Sequence, residues 1–246
     1  MPRYRGVRWY VPLAIMLAVS AVLIAVSWLL PSLGGGHPIY ARDGEIGNFF
    51  NVDEEGNLPT WWSTIQLGGG AILYLWGAWL SRASRTRGTV AWVLVALVLF
   101  AMSLDEATQL HEQLAQLSGV IASPFGNEYA WLAVGIPVAI GVVVVALVSG
   151  LRMPRRSLAV LLIGFVVFFG GAVGTEALES DDPAAQTEVQ LAPVYHLEEG
   201  LEMAGASLIA VAPLAGMQVA QGGGAVALRL RPRRMRPGRR VAEQGR

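Results

Sequence analysis

The chain has 246 residues, is 54% hydrophobic and 15% charged, and has a mean hydropathy of +0.48, which excludes an ordinary soluble domain. Its 18 basic residues are all Arg and balance 18 acids, so the formal charge is zero and no net field marks a nucleic-acid partner. Cysteine is absent, which excludes disulfides, thiolate metal ligands and thiol catalysis.

Several apolar runs reach about 20 residues, the length that crosses a ~30 Å hydrocarbon core. The expected fold is therefore all-α: an integral membrane protein built as a six-transmembrane-helix bundle, with both termini cytoplasmic. The first span is predicted over residues 9–30, behind a start carrying Arg3, Arg5 and Arg8. It is too long for the apolar part of a secretory signal and no small-residue cleavage site follows, so it reads as a retained helix. A polar loop follows to Pro59. Its Asp53-x-Glu55-x-Asn57 spacing matches a fragment of a calcium loop, but the rest of that motif is missing and the loop reads as an acidic surface.

The second span is predicted over 60–80, with Trp61 and Trp62 at its start as an aromatic belt. Its Gly68-Gly69-Gly70 run allows close helix approach or a local break. The third covers 89–117. The fourth, 129–149, contains Pro137 and no ionisable residue, and reads as wall. The fifth covers 157–179 and includes Gly170-x-x-x-Gly174, a signal for close packing. The sixth covers 193–219. Together these make a transmembrane domain over 1–219, followed by an Arg-rich tail over 220–246 that is expected to be disordered.

Charge fixes the expected orientation. Seventeen of the 18 arginines fall at the N-terminus, after the second and fourth spans, and in the tail; only Arg42 does not. Seventeen of the 18 acids fall on the opposite side, as do His37, His111 and His196. By the positive-inside rule the Arg-bearing side is cytoplasmic. Arginines beside a cytoplasmic leaflet suit anionic membrane lipid, so the tail points to lipid rather than nucleic acid.

The chemistry-bearing stretch is Ser103-Leu104-Asp105-Glu106, continuing to His111-Glu112, at the end of an apolar run. Ionisable groups there cost about 2.5–3.5 kcal/mol each at mid-bilayer, and by default mark function. Two later stretches share this character: Glu176 to Glu179, and His196 to Glu202. At 1.5 Å rise per residue, the three spans bring these carboxylates to one height, roughly 24–27 Å from the basic end. On the third span Asp105 and Glu112 share a face, His111 flanks it, and Glu106 points further round. On the sixth, His196, Glu199 and Glu202 form one stripe, with Glu198 off it.

Acids near a helix C-terminus are disfavoured by the macrodipole, which applies to Asp105, Glu112, Glu176 and Glu179. Either a bound metal ion or protonation of some of the carboxylates is expected to offset them. The expected metal ligands are Asp105, His111, Glu112, Glu176, Glu179, His196, Glu199 and Glu202. Carboxylate with imidazole suits a divalent Fe, Mn or Zn ion. Glu106 and Glu198, off the stripes, are the candidates for general base. Ligand types resemble those of di-metal bundles, but His196-x-x-Glu199 reverses the Glu-x-x-His order and His111 has Thr108 at i−3.

The S-L-D-E…H-E stretch, with Glu198, Glu199, Glu202, Met203 and Gly205 on the last span, resembles a group of bacterial multi-pass membrane proteins without an assigned function. The resemblance covers about three helices and implies a family, not an activity. Three functions stay open: a metal-dependent hydrolase or oxidoreductase acting on a lipid or amphipathic substrate, a cation or proton-coupled transporter, and a non-catalytic subunit or metal sensor. The apolar runs Trp92 to Met102, Leu158 to Phe169 and Leu208 to Met217 argue against a path through the membrane.

Overall fold

The computed structural model describes residues 4–86, 88–110, 132–172, 188–222 and 225–232. Over these the chain is mostly helical, with one small sheet. Helix α1 covers Tyr10–Leu33, and a 3-10 turn at Pro38–Tyr40 leads to the short α2, Glu45–Phe50. The long helices α3 (Leu58–Ala83), α4 (Thr89–Thr108), α5 (Leu132–Gly150), α6 (Arg155–Ala172) and α7 (Glu188–Ala215) follow. Of these helices α1, α4 and α6 are long and apolar enough to cross a membrane.

Helix α7 is the hub, packing on α6, α3 and α1. Helix α3 pairs with α4, α4 with α5 and α5 with α6, so α3 to α7 close a ring and α1 lies against α7 outside it. The core inside the ring is built on Tyr74, Trp92, Leu67, Leu99, Leu161 and Phe165, all fully buried. The outward faces are apolar as well: Ile15, Val22, Ile72, Trp79, Phe100 and Val166 are all exposed.

Small residues set the closest approaches. A Cβ on Gly205 of α7 would lie 2.5 Å from the Phe168 backbone nitrogen on α6, and one on Gly164 would lie 2.8 Å from the Ile209 nitrogen. Gly70 of α3 meets Ala210 in the same way, and Gly77 meets the Trp92 ring. The triple glycine therefore serves packing through Gly70, and α3 runs through it unbroken. Gly170 has open space where a Cβ would be, while its neighbour Gly171 packs against Leu201 and Glu202.

Two boundaries differ from the sequence expectation. The third span is predicted to 117; α4 breaks after Thr108, where Gln109 turns left-handed (φ 55°) and its N–H donates to the Asp105 carbonyl at 2.8 Å, Leu110 is helical again, and residues 111–117 lie outside the described residues. The Thr108 hydroxyl also donates to the Leu104 carbonyl at 2.7 Å, the same i−4 back-bond that Thr64 makes in α3 and Ser207 in α7. The sixth span, predicted as 193–219 with a disordered tail behind it, starts at Glu188, ends at Ala215, and is followed by structure. Strand β2 (Met217–Gly222) pairs antiparallel with β3 (Ala225–Leu230), and with β1 (Arg5–Gly6) on its other edge. Valines and leucines around a glycine run make a hairpin signal that the surrounding arginines masked.

This sheet sits at the pole where the basic turns gather. Gly6 abuts the Arg231 guanidinium, Gly88 abuts the Arg152 carbonyl, and Gly216 abuts Ser157 and Pro154. The Arg229 guanidinium lies 3.6 Å from the centre of the Tyr4 ring, a cation–π contact. The acids of α4 and α7 lie at the other pole.

Candidate functional site

The site grows from one stretch of α7. His196 is buried, and both of its ring nitrogens are engaged. Nδ1 faces the Ala192 carbonyl at 2.7 Å and Nε2 faces Ser27 Oγ at 3.1 Å. A carbonyl only accepts, so in the neutral ring Nδ1–H donates to Ala192 and Nε2 accepts from Ser27. Ser27 in turn accepts the Val52 N–H at 3.2 Å. One imidazole thus ties α7 to α1 and to the loop before α3. Its faces are covered as well, by the Trp28 edge at 4.8 Å and the Tyr195 ring at 4.6 Å. The Arg42 guanidinium stands 5.2 Å over the Tyr195 ring.

One turn further along α7, Glu199 lies within electrostatic reach of Glu202, Glu106, Glu198 and Asp53. These come from three places: α7 itself, the end of α4, and the loop after α2. Glu202 leans toward α6, its Cγ 3.3 Å from where a Cβ on Gly171 would be. The missing side chain at Gly171 makes room for it.

The loop that delivers Asp53 is held by Asn57. Its Nδ2 donates to the carbonyls of Asn48, Asn51 and Glu54, and its Oδ1 accepts from the Thr60 N–H and hydroxyl to cap α3. The Asn57 side chain is committed to the loop backbone and the helix cap, which argues against a calcium loop there. Gly44 and Gly47 let the loop fold on itself: a Cβ at either would collide with the backbone of Pro38 or Ala41.

Of the predicted site residues, Glu106, Glu198 and Glu202 lie within electrostatic reach of Glu199. Glu106 of α4 acts electrostatically on Glu199, and Asp105, its neighbour in the chain, is half-buried. His196 is close by, but a metal on Nε2 would have to displace Ser27. His111, Glu112, Glu176 and Glu179 lie outside the described residues. Among the described residues no three His, Asp or Glu side chains form a group that could hold a metal ion. Sequence reasoning missed Tyr195, Ser27 and the reach of Arg42, and read Asp53 as part of an acidic surface loop. Arg42 gave a signal of its own, as the one arginine on the acidic side.

A second polar feature lies on α3. Ser63, Gln66, Tyr74 and Ser81 are all buried along its inner face. Gln66 Nε2 donates to Ser207 Oγ at 2.9 Å and Ser20 Oγ at 3.3 Å, and Trp62 Nε1 joins Ser20 at 3.0 Å. Gln66 Oε1 and the Tyr74 hydroxyl have no hydrogen-bond partner among the described residues.

Fold and site together define a helical bundle with three helices of membrane-crossing length and a carboxylate-rich pole. The chain belongs to the family described as Domain of unknown function (DUF8692), whose model matches residues 7–215. The match takes in all seven of the described α-helices and stops before β2. No curated protein and no solved structure matches the chain.

Proposed function

We propose that this is an integral membrane protein of six spans with both termini cytoplasmic, and that its outer pole binds a divalent cation used in chemistry on a lipid or amphipathic substrate. The observation that supports this reading is that Glu199 lies within electrostatic reach of Glu202, Glu106, Glu198 and Asp53. Like charges drawn from separate elements repel, and their repulsion is strongest away from water. Arg42 supplies one positive charge to that pole, against several carboxylates. A divalent ion would offset the remainder, with Glu199 and Glu202 as ligands joined by residues of the 111–112 and 176–179 stretches. An ion there would polarise a substrate oxygen or activate water, and Glu106 or Glu198 would take the proton. Membrane placement is supported by six long helices with apolar outward faces and by the collection of arginines at one pole.

The test is elemental analysis of protein purified in mild detergent without chelator. Wild type is expected to carry about one equivalent of metal per chain or more, and a Glu112→Ala, Glu199→Ala double variant very little. Equal and negligible metal in both would end the metal reading.

A second reading, a cation or proton-coupled transporter, gains support from α3. Its buried Gln66, Tyr74 and Ser81 run from the acidic pole toward the basic one, a polar line that the apolar halves of the other helices do not offer. Cation or proton flux into proteoliposomes, abolished by Glu199→Gln and reduced by Tyr74→Phe, would favour it over an enzyme.

A further inference from the structure

The basic pole carries a constellation of its own. Residues 4–9, 82–86, 150–156, 216–222 and 225–232 include nine arginines and no carboxylate. The whole sequence offers that side one acid, Glu243. Ion pairs within these segments therefore cannot neutralise the arginines, and their summed field attracts an anion from outside.

The sheet holds two of these arginines side by side. Gly6 of β1, Gln218 of β2 and Arg229 of β3 stand opposite one another in the antiparallel register. Opposed residues share a face of a sheet, and so do residues two apart along a strand. The ladder runs one residue past β3, where the Arg231 N–H donates to the Gly216 carbonyl at 2.8 Å. Arg229 and Arg231 thus project from one face, their Cα atoms roughly 7 Å apart. Arg229 is fixed twice: its guanidinium lies 3.6 Å from the centre of the Tyr4 ring, and its Nε donates to Gln218 Oε1 at 3.1 Å. The residue is nonetheless exposed, and a guanidinium has five N–H donors, of which this bond uses one. Arg231 folds over Gly6, where a side chain would take the place of its guanidinium. Its Nε is buried and has no hydrogen-bond partner among the described residues, a costly state for a charged donor.

Height in the membrane selects the anion. Trp76 and Trp79 are exposed toward the C-terminal end of α3, and Tyr10 is exposed at the start of α1. Exposed aromatics at the ends of apolar helices mark the level of the head groups. Strand β3 packs on α3, and β1 ends at Gly6, just before α1 begins, so the sheet stands at that level. Phosphate is the anion that phospholipids present there, and a guanidinium binds it with two parallel bonds. We infer that Arg229 and Arg231 form a clamp for the phosphate of an anionic phospholipid in the leaflet at the basic pole. The inference rests on the membrane placement proposed above, and not on the cation site, which lies at the other pole.

The experiment uses the full chain in mild detergent, with bound lipid counted by native mass spectrometry. The probes are dioctanoyl phosphatidylglycerol, dioctanoyl phosphatidylcholine, whose choline the arginines repel, and inorganic phosphate. Phosphatidylglycerol should bind about tenfold more tightly than phosphatidylcholine. Arg229→Gln with Arg231→Gln should abolish that preference. Arg229→Lys with Arg231→Lys keeps the charge but loses the planar fork, and should weaken phosphatidylglycerol about threefold or more. Arg239→Gln with Arg240→Gln removes the same charge from the tail and should leave binding within about twofold of wild type. Thermal unfolding without lipid shows which variants are folded, and the Lys pair carries the test if the Gln pair is not. Equal losses from the sheet pair and the tail pair would reduce the effect to a general field and overturn the clamp. A folded Lys pair that binds like wild type would overturn it too. Displacement of phosphatidylglycerol by inorganic phosphate at equal concentration would overturn the lipid as the source of the phosphate. Recovery of the chain in the membrane fraction of cells checks the placement, and metal content checks the cation site, each apart from the clamp.

Discussion

Asn57 holds the loop over the acidic pole with both ends of its amide, and two substitutions separate the two roles. Asn57→Ala should cost about 1–2 kcal/mol from the lost helix cap, plus whatever the three freed carbonyls were worth. Asn57→Asp keeps a good cap acceptor but turns a carboxylate toward the carbonyls of Asn48, Asn51 and Glu54. It should be as damaging as Ala in thermal unfolding; an unchanged midpoint would mean that only the cap matters. Ser27→Ala strips partners from both His196 Nε2 and the Val52 N–H, and should lower stability by about 1–3 kcal/mol, read in the same way. Residue identity in the sequence said that His196 was important without saying how. A histidine on an apolar stretch reads alike as a metal ligand and as a hydrogen-bonded tie, and the tie shows only through Ser27, which lies 169 residues away.

At the level of elements, the contact between α6 and α7 depends on which glycines face inward. Gly205→Val should destabilise by about 1–3 kcal/mol or more, since its Cβ would strike the Phe168 backbone and no side-chain motion can relieve that. Gly170→Ala should be neutral, or stabilising by up to about 1 kcal/mol, because it adds helix propensity into open space. Denaturation of both in one detergent decides between them, and a destabilised Gly170→Ala would contradict the packing described. The five longer apolar runs before residue 173 were legible because their composition alone sets a membrane-like length. The glycine face was not: of Gly170-x-x-x-Gly174, Gly170 meets open space and Gly174 lies outside the described residues, while Gly164 and Gly171 face α7. The end of α4 escaped for a similar reason. The apolar period runs on past it, and the left-handed Gln109 interrupts it.

For the molecule as a whole, charge separation was the most readable feature, since it needs only residue counts and the order of the runs. The structure gathers the arginine-bearing turns at one pole and the Glu199 cluster at the other. Because the chain has no cysteine, orientation can be tested with single introduced thiols. Glu45→Cys, exposed on α2, should react with an impermeant maleimide on intact cells. Ser84→Cys, exposed after α3, should react only once the cells are opened. The reverse pattern would invert the proposed orientation.

The sheet was the least readable element, because Arg5 pairs with Val219 across almost the whole chain. That pairing limits how the protein can be threaded. Two backbone segments joined by direct hydrogen bonds must share one aqueous compartment, so the polypeptide that leaves it after β1 has to return before β2. Whatever the bilayer encloses between them, each outward passage is matched by an inward one, and an arrangement with an unmatched passage would have to unzip the strands.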